Sequence, residues 1–268
     1  MSKKVHIVRK WESPRAAFYE CYQNPSRLVR WYFWKRLDAA LKMSNIKKDD
    51  VVLDVGCWMG YFLPTLSLHS SNVIGLDIWK GVLPADAWDK RVVGWNEEKI
   101  AKELIDTEVG PTTNIQLVKA DGCTLPLKDE SIDLLFCLDT MEHVVRVDDL
   151  LAEFSRVLKQ TGIFISLLPN ERGIALLLRQ AFSRMVGTIS RERYSWGELA
   201  RTLFSGQVTS ETERSDSYHR GYDYRKDVKT IGKYFKIQRI GYVPVWFLLG
   251  LNPTIIVKAV KTHSYRHK

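Results

Sequence analysis

Asp54, Gly56 and Gly60 sit at the seam between two apolar stretches, Val51 to Val55 and the run that begins Tyr61-Phe62. A short apolar run carrying an acid, a turn through two glycines and a return to apolar sequence is how a buried parallel strand delivers bare backbone to a ligand. The pattern points to a nucleoside-bearing cofactor. Three more acids, Asp77, Asp121 and Asp139, stand where further apolar runs end. A dinucleotide turn of the GxGxxG kind is disfavoured, because Trp58 and Tyr61 take the places of its later glycines, and no Gly-Lys-Ser/Thr follows to cradle phosphates. The cysteines, Cys21, Cys57, Cys123 and Cys137, form neither a CxxC pair nor a disulfide-rich spacing, so no metal site is expected. Cys57 and Cys137 fall at strand ends, where a thiol behaves as a small apolar residue.

Those acids need elements to position them, and the pattern alternates strands with helices. Strands are predicted at Val51 to Val55, Asn72 to Leu76, Ile115 to Ala120, Ile132 to Leu138 and Gly162 to Leu168. Helices are predicted at Tyr61 to His69, Glu97 to Asp106 and Asp148 to Leu158. Such alternation means an α/β fold with a parallel sheet covered on both faces, and ligands then sit beyond the carboxyl ends of the strands. Gly56, Asp77, Asp121 and Asp139 all fall at those ends. Before the first strand, Ser26 is placed to cap a helix over Arg27 to Met43. Its apolar residues spread over more than one face, as expected for a helix packed on both sides. The alternative is a lid whose aromatics and Arg27, Arg30, Lys35 and Arg36 meet the second substrate.

After the fifth strand the period changes. Ile174, Leu177, Leu178, Ala181, Phe182, Met185, Val186 and Ile189 recur at three- and four-residue steps among arginines, which predicts a basic amphipathic helix. It either packs on its own domain or docks on a membrane surface. Residues 208–224 read as polar loop and Arg225 to Phe235 as a short helix. Two final strands, Lys236 to Val243 and Thr254 to Lys261, fit an antiparallel pair closing the sheet edge. Their apolar connection, 245–251, either folds over the pocket or touches lipid. Tyr242 to Val260 is broken by Pro244, Asn252, Pro253 and Lys258 and does not read as a membrane span.

Charge divides the chain. Residues 1–50 carry 12 Lys/Arg against 5 Asp/Glu, residues 51–150 carry 8 against 17, and residues 151–268 carry 20 against 9. If the acidic middle holds the cofactor, the basic flanks face an anionic or amphiphilic acceptor, or form a plain solvated surface. Nine tryptophans and eleven tyrosines exceed what a core of this size needs, so some are expected to line a pocket. The N-terminal residues lack a secretory apolar run, and a reducing cytoplasm with peripheral membrane contact through 171–193 and 245–251 is expected.

Four blocks carry a family likeness: Leu53-Asp54-Val55-Gly56-Cys57-x-x-Gly60; Gly75-Leu76-Asp77; Ala120-Asp121-Gly122 followed by Leu125-Pro126-Leu127-x-Asp129-Glu130-Ser131-Ile132-Asp133-Leu134-Leu135; and Glu142-His143-Val144. In this order they resemble the class I S-adenosylmethionine-dependent methyltransferases, in particular the type 11 branch that includes ubiquinone/menaquinone-biosynthesis methyltransferases. The likeness covers about residues 50–170. It implies a Rossmann-like seven-stranded sheet of order 3-2-1-4-5-7-6 with its last pair antiparallel. An N-terminal helical extension (1–49) would precede the methyltransferase domain (50–268), with 171–224 inserted over the acceptor site.

The resemblance also implies roles. Gly56 and Gly60 would admit the methionine part of S-adenosylmethionine, Asp54 would lie near its ammonium, and Asp77 would accept both ribose hydroxyls. Asp121 would accept from the adenine amino group, with the Gly122-Cys123 backbone at the ring edge. Cys57, Ile78, Leu138 and Asp139 would complete the cofactor wall. One departure stands out: Trp58 replaces the family's middle glycine, so its indole either points away from the cofactor or blocks the site. Methyl transfer needs collinear alignment in a water-poor pocket more than any one residue. If the acceptor is a hydroxyl, His143, Glu142 or His219 would serve as base. A small-molecule, lipid or glycan acceptor methylated at oxygen or carbon is expected. RNA, or a non-catalytic scaffold on the same fold, is the alternative, although no nucleic-acid-binding module is recognised.

Overall fold

Successive residues of the strands enter two different apolar clusters. Val52, Leu134, Phe136 and Ile256 belong to one, and Leu53, Leu135, Cys137 and Val257 to the other. This period of two is what a sheet buried on both faces requires. In the computed structural model, the structure describes residues 5, 22, 26–79, 96–110, 114–186, 194–205, 222–245 and 251–261. Helix α1 (Arg27–Ser44) leads into β1 (Val51–Val55), α2 (Leu63–His69) and β2 (Asn72–Asp77). Next come α3 (Glu97–Glu108), β3 (Ile115–Lys119), β4 (Ile132–Leu138), a single 3-10 turn (Met141–His143) and α4 (Val147–Val157). The chain continues through β5 (Leu158–Pro169), α5 (Gly173–Val186), α6 (Trp196–Ser205), α7 (Tyr224–Tyr234), β6 (Phe235–Val243) and β7 (Thr254–Lys261).

The seven strands form one sheet in the order β3-β2-β1-β4-β5-β7-β6. β1 to β5 are parallel, and β7 runs antiparallel to both of its neighbours. Strand order reverses between β1 and β4. That is the topological switch point at which an open α/β sheet leaves a crevice beyond its strand ends. The expected Rossmann-like order and the antiparallel closing pair are both present.

Helices α1, α2 and α3 cover one face through Trp34, Leu37, Leu41, Leu63, Leu66, Ile100 and Leu104. α4 and α7 cover the other through Leu150, Leu151, Phe154 and Ile231. Ala40 and Leu41 are fully buried, so α1 is anchored in the same core as the strands, while Leu28 and Trp31 of its first turns remain exposed.

Three local expectations are corrected. Ser26 precedes α1 but its side chain makes no capping hydrogen bond. β5 starts at Leu158, four residues before the predicted Gly162, because Leu158 pairs with Ile132 across an irregularity in the β4–β5 ladder. α6 was not anticipated. Its start is a reciprocal capping box in which Ser195 N–H donates to Glu198 Oε2 (2.7 Å) and Glu198 N–H donates to Ser195 Oγ (3.2 Å). That Ser-x-x-Glu signature stands in the sequence, within a stretch too short in apolar period to stand out. The distal part of the predicted amphipathic helix (187–193), most of the predicted polar loop (208–221) and most of the 245–251 connection (246–250) lie outside the described residues.

Candidate cofactor and acceptor site

The turn after β1 is built by β2. Gly56 N–H and Cys57 N–H both donate to Leu76 O (2.8 and 3.1 Å), and Gly60 N–H closes the loop on Cys57 O (2.7 Å). Gly56 and Gly60 adopt φ of 75° and 79°, the left-handed region that glycine enters without a Cβ penalty. A Cβ at Gly56 would collide with the side chain of Thr140, which follows β4. The glycine therefore lets the ends of β1 and β4 close on each other at the switch point.

Trp58 holds the same left-handed geometry without being glycine, at φ 47°. Hydrogen bonds over-determine it. Its N–H donates to Asp77 Oδ2 (2.8 Å), its carbonyl accepts from Trp79 Nε1 (2.8 Å), and its own indole N–H donates to Glu97 Oε1 at the first turn of α3 (2.8 Å). Trp79 is buried and also has positive φ, 22°. The indole of Trp58 is thus tied toward the β2–α3 side and away from the ends of β4 and β5. Strained backbone of this kind persists only where surrounding contacts enforce it.

Two carboxyls meet beneath this turn. Asp54, 4% exposed, is pushed up to about 8 by burial and by the neighbouring Asp77. Burial also raises Asp77, against the pull of the Trp58, Trp79 and Ile78 N–H donors. A buried acid raised further by a second carboxyl favours a cation beside it. Cys57 is buried, its N–H is spent on Leu76, and burial pushes its thiol up as it does that of Cys137. Ile78, by contrast, is exposed immediately after Asp77.

The end of β3 presents Asp121 half-buried. Its Oδ1 accepts the Cys123 N–H (2.8 Å), and its Oδ2 pairs with Arg146 (2.8 Å). The Cys123 N–H expected at a base edge is therefore committed to Asp121, while the carboxylate keeps acceptor capacity for another donor. Burial and Asp121 push the Cys123 thiol up to about 11. Gly122 lies against Val55 and Leu150, below this corner.

Beyond β4 the arrangement differs from expectation. Asp139, at φ 52°, does not face an open pocket alone: the Arg36 guanidinium of α1 pairs with it. Arg36 is nearly buried, lies over the rings of Phe33 (4.6 Å) and Tyr32 (5.4 Å), and keeps its Nε without a hydrogen-bond partner. Tyr32 in turn bonds Thr254 through their hydroxyls (2.6 Å), joining α1 to β7. Leu138 is half-buried, and its carbonyl accepts from the Thr140 hydroxyl (3.1 Å). Glu142 is 2% exposed, and burial, then Asp139 beside it, pushes its carboxyl well above the usual range. His143 is half-buried, and its N–H donates to Thr140 O (3.0 Å). His219 lies outside the described residues.

The structure thus gathers Asp54, Gly56, Gly60, Asp77, Asp121 and Asp139 along one edge of the sheet. The sequence reading missed Thr140, Trp79 and Arg146. For Arg36 it named the residue but not its direction; an arginine set among the aromatics of a packed helix was the available signal. Among the described residues no cluster of His, Cys, Asp or Glu could hold a metal. A group with a ribose diol, an ammonium and a positive sulfur fits this edge: Asp77 offers acceptors to the diol, and the Asp54–Asp77 pair favours positive charge.

Comparison with known proteins agrees with that fit. Residues 53–166 match a family model described as a methyltransferase domain. The chain is similar to demethylmenaquinone methyltransferase of Lactobacillus johnsonii, 32% identical over 45% of this chain and 44% of that one. It is also similar to 24-methylenesterol C-methyltransferase 2 of Arabidopsis thaliana, 24% identical over 48% of this chain and 32% of that one. The match thus spans less than half the length of these relatives. In fold, it resembles the crystal structure of an S-adenosylmethionine-dependent methyltransferase from Aquifex aeolicus, with TM-score 0.56 at 17% identity, over 94% of this chain and all of that one.

Proposed function

We propose that this chain, whose residues 53–166 match a methyltransferase-domain family model, is a class I S-adenosylmethionine-dependent methyltransferase of the type 11 kind and methylates an apolar acceptor of the quinone or sterol kind, at carbon. The observation that carries the reading is the glycine turn closed over two buried carboxyls, Asp54 and Asp77, both raised by burial, at the topological switch point. S-adenosylmethionine, when bound, supplies a methyl group on a positively charged sulfur.

The chain's part is to bind, orient and exclude water. Asp77 takes the ribose diol, Asp54 faces positive charge, and Asp121 accepts from the base. On the acceptor side, Arg36 keeps Asp139 oriented. Carbon as the methyl acceptor is supported by the name of the sterol relative. Transfer to carbon of an electron-rich ring needs alignment first and a nearby base only for the proton lost afterwards.

The test has two steps. Calorimetry should show heat on adding S-adenosylmethionine, and Asp77→Ala should weaken binding about 100-fold, a loss on the order of 3 kcal/mol. Methyl-labelled cofactor supplied with a lysate of the source cells should then place label in the apolar extract. Heat without label in that extract, or label in RNA, would overturn the acceptor class. No heat at all would overturn the enzyme reading.

A further inference from the structure

Past the end of β5, away from the β1–β2 turn, the chain opens a cleft of about 360 Å³ between α5, α6 and α7. Its floor is polar and buried, with Asn170 and Thr202. Its rim is of another kind. Ile174 of α5 and Leu203 of α6 meet there with Leu251, and all three are exposed. One helical turn beyond Ile174, Leu178 is also exposed, and two turns before Leu203 stands Trp196, 70% exposed at the start of α6. Residues four and seven apart share a helix face, so these side chains extend the apolar rim along both helices.

Positive charge accompanies that rim. Arg172 and Arg225 line the cleft and share a single carboxylate, Asp223, at 2.6 and 3.0 Å. Two guanidiniums on one acid leave a net positive charge with unused donors at the rim. Arg201 is exposed on α6, two residues before Leu203. Exposed leucine, isoleucine and tryptophan beside arginine are what a surface needs to lie in the headgroup region of an anionic bilayer, with the apolar groups inserted and the guanidiniums at the phosphates.

We propose that the α5–α6 face, with the cleft at its centre, is a docking surface for a bilayer that carries anionic phospholipid. The placement suits an apolar acceptor. Asn170, on the cleft floor, bonds Pro253 O through its N–H (2.8 Å) and Asn252 O through its side chain (2.8 Å), next to the Thr254 that Tyr32 holds. The surface therefore adjoins the segment through which α1 is tied to β7. The proposal itself rests on exposure and charge, so vesicle binding and methyl transfer can fail separately.

The test is co-sedimentation of the full chain with vesicles of phosphatidylcholine alone and of phosphatidylcholine mixed with phosphatidylglycerol, with no cofactor present. Binding to the anionic vesicles should exceed binding to neutral ones and fall with added salt. Trp196→Ser combined with Leu203→Ser should lower it by at least about tenfold, and Arg225→Ala by about fivefold. Leu68→Ser removes an exposed apolar residue of α2, whose buried side chains belong to the core cluster on the sheet face opposite α7, and should change binding less than about twofold. Thermal melts of the variants should match the parent, since every substituted side chain is exposed. Failure of the parent to sediment with anionic vesicles at low salt overturns the proposal, as does an undiminished Trp196/Leu203 variant. So does a protein that self-associates without vesicles and is made monomeric by the same two substitutions, which would assign the face to a second copy of the chain.

Discussion

The β1–β2 side of the site and the β4–β5 side are built by different means. On the first, every element is local: Trp58 N–H reaches Asp77 across 19 residues, and the turn between them is closed by backbone. On the second, Arg36 reaches Asp139 across 103 residues and Tyr32 reaches Thr254 across 222. The first half is a motif, and the second is an assembly that exists only once α1 has packed on the sheet. A motif carries its ligand preference with it, whereas an assembly can be retuned by moving one helix. That contrast suits a domain in which the cofactor is constant and the acceptor is what relatives vary.

Substitutions can break the contrast in turn. The largest effect is expected at Gly56, where Ala adds a Cβ against Thr140 at φ 75°. Strain and overpacking together should cost about 3 kcal/mol, measured by urea unfolding. A cost under 1 kcal/mol would mean that β1 and β4 can part at their ends. Next is Arg36→Met, which leaves Asp139 without its cation. It should cost about 2 kcal/mol, with much of the loss recovered by adding Asp139→Asn, while S-adenosylmethionine affinity changes little. A large loss of cofactor affinity would join the two halves that the structure keeps apart.

Asp54 gives a smaller effect that depends on pH. Its folded carboxyl lies at about 8, above the value near 3.9 of an unfolded aspartate, so the native state holds the proton between those limits. Its contribution to stability is full below about pH 4 and is lost as pH rises toward about 8. Asp54→Asn should therefore gain stability relative to the parent across that window, by up to about 1.4 kcal/mol per pH unit. The measurement is urea unfolding at pH 5 and pH 8, and a constant difference would exclude the raised carboxyl. Binding of a cationic cofactor should expel this proton, seen as a buffer-dependent heat near pH 7 that Asp54→Asn abolishes. The smallest effect is expected for Trp58→Gly. Relief of the left-handed strain, about 1 kcal/mol, offsets the lost indole bond to Glu97. Cofactor affinity should shift less than about threefold, and a gain of tenfold would show that the indole obstructs the cofactor.

Much of the strand framework was readable in advance. β1, β4 and β7 begin and end at the predicted residues, and β2, β3 and α4 shift by a residue at their ends. Alternation on a sheet buried from both sides writes itself into five to seven residues, and an acid at the end of such a run is conspicuous. α6 escaped because its capping box is a short signal with little apolar period behind it. The start of β5 moved because pairing with β4, rather than the Lys159-Gln160-Thr161 composition, sets where that strand begins.

By itself the sequence determined the sheet, its order through the resemblance, and the line of carboxylates from Asp54 to Asp139, because strand period and turn glycines are properties of neighbouring residues. Only the tertiary structure decided that Trp58 points to Glu97, that Glu142 is buried, and that Asp139 is met by Arg36. Each of those outcomes depends on how a helix is rotated against a sheet. Local pattern names the face a helix buries, but the partner of a single side chain at its edge is settled by packing between elements far apart in the chain.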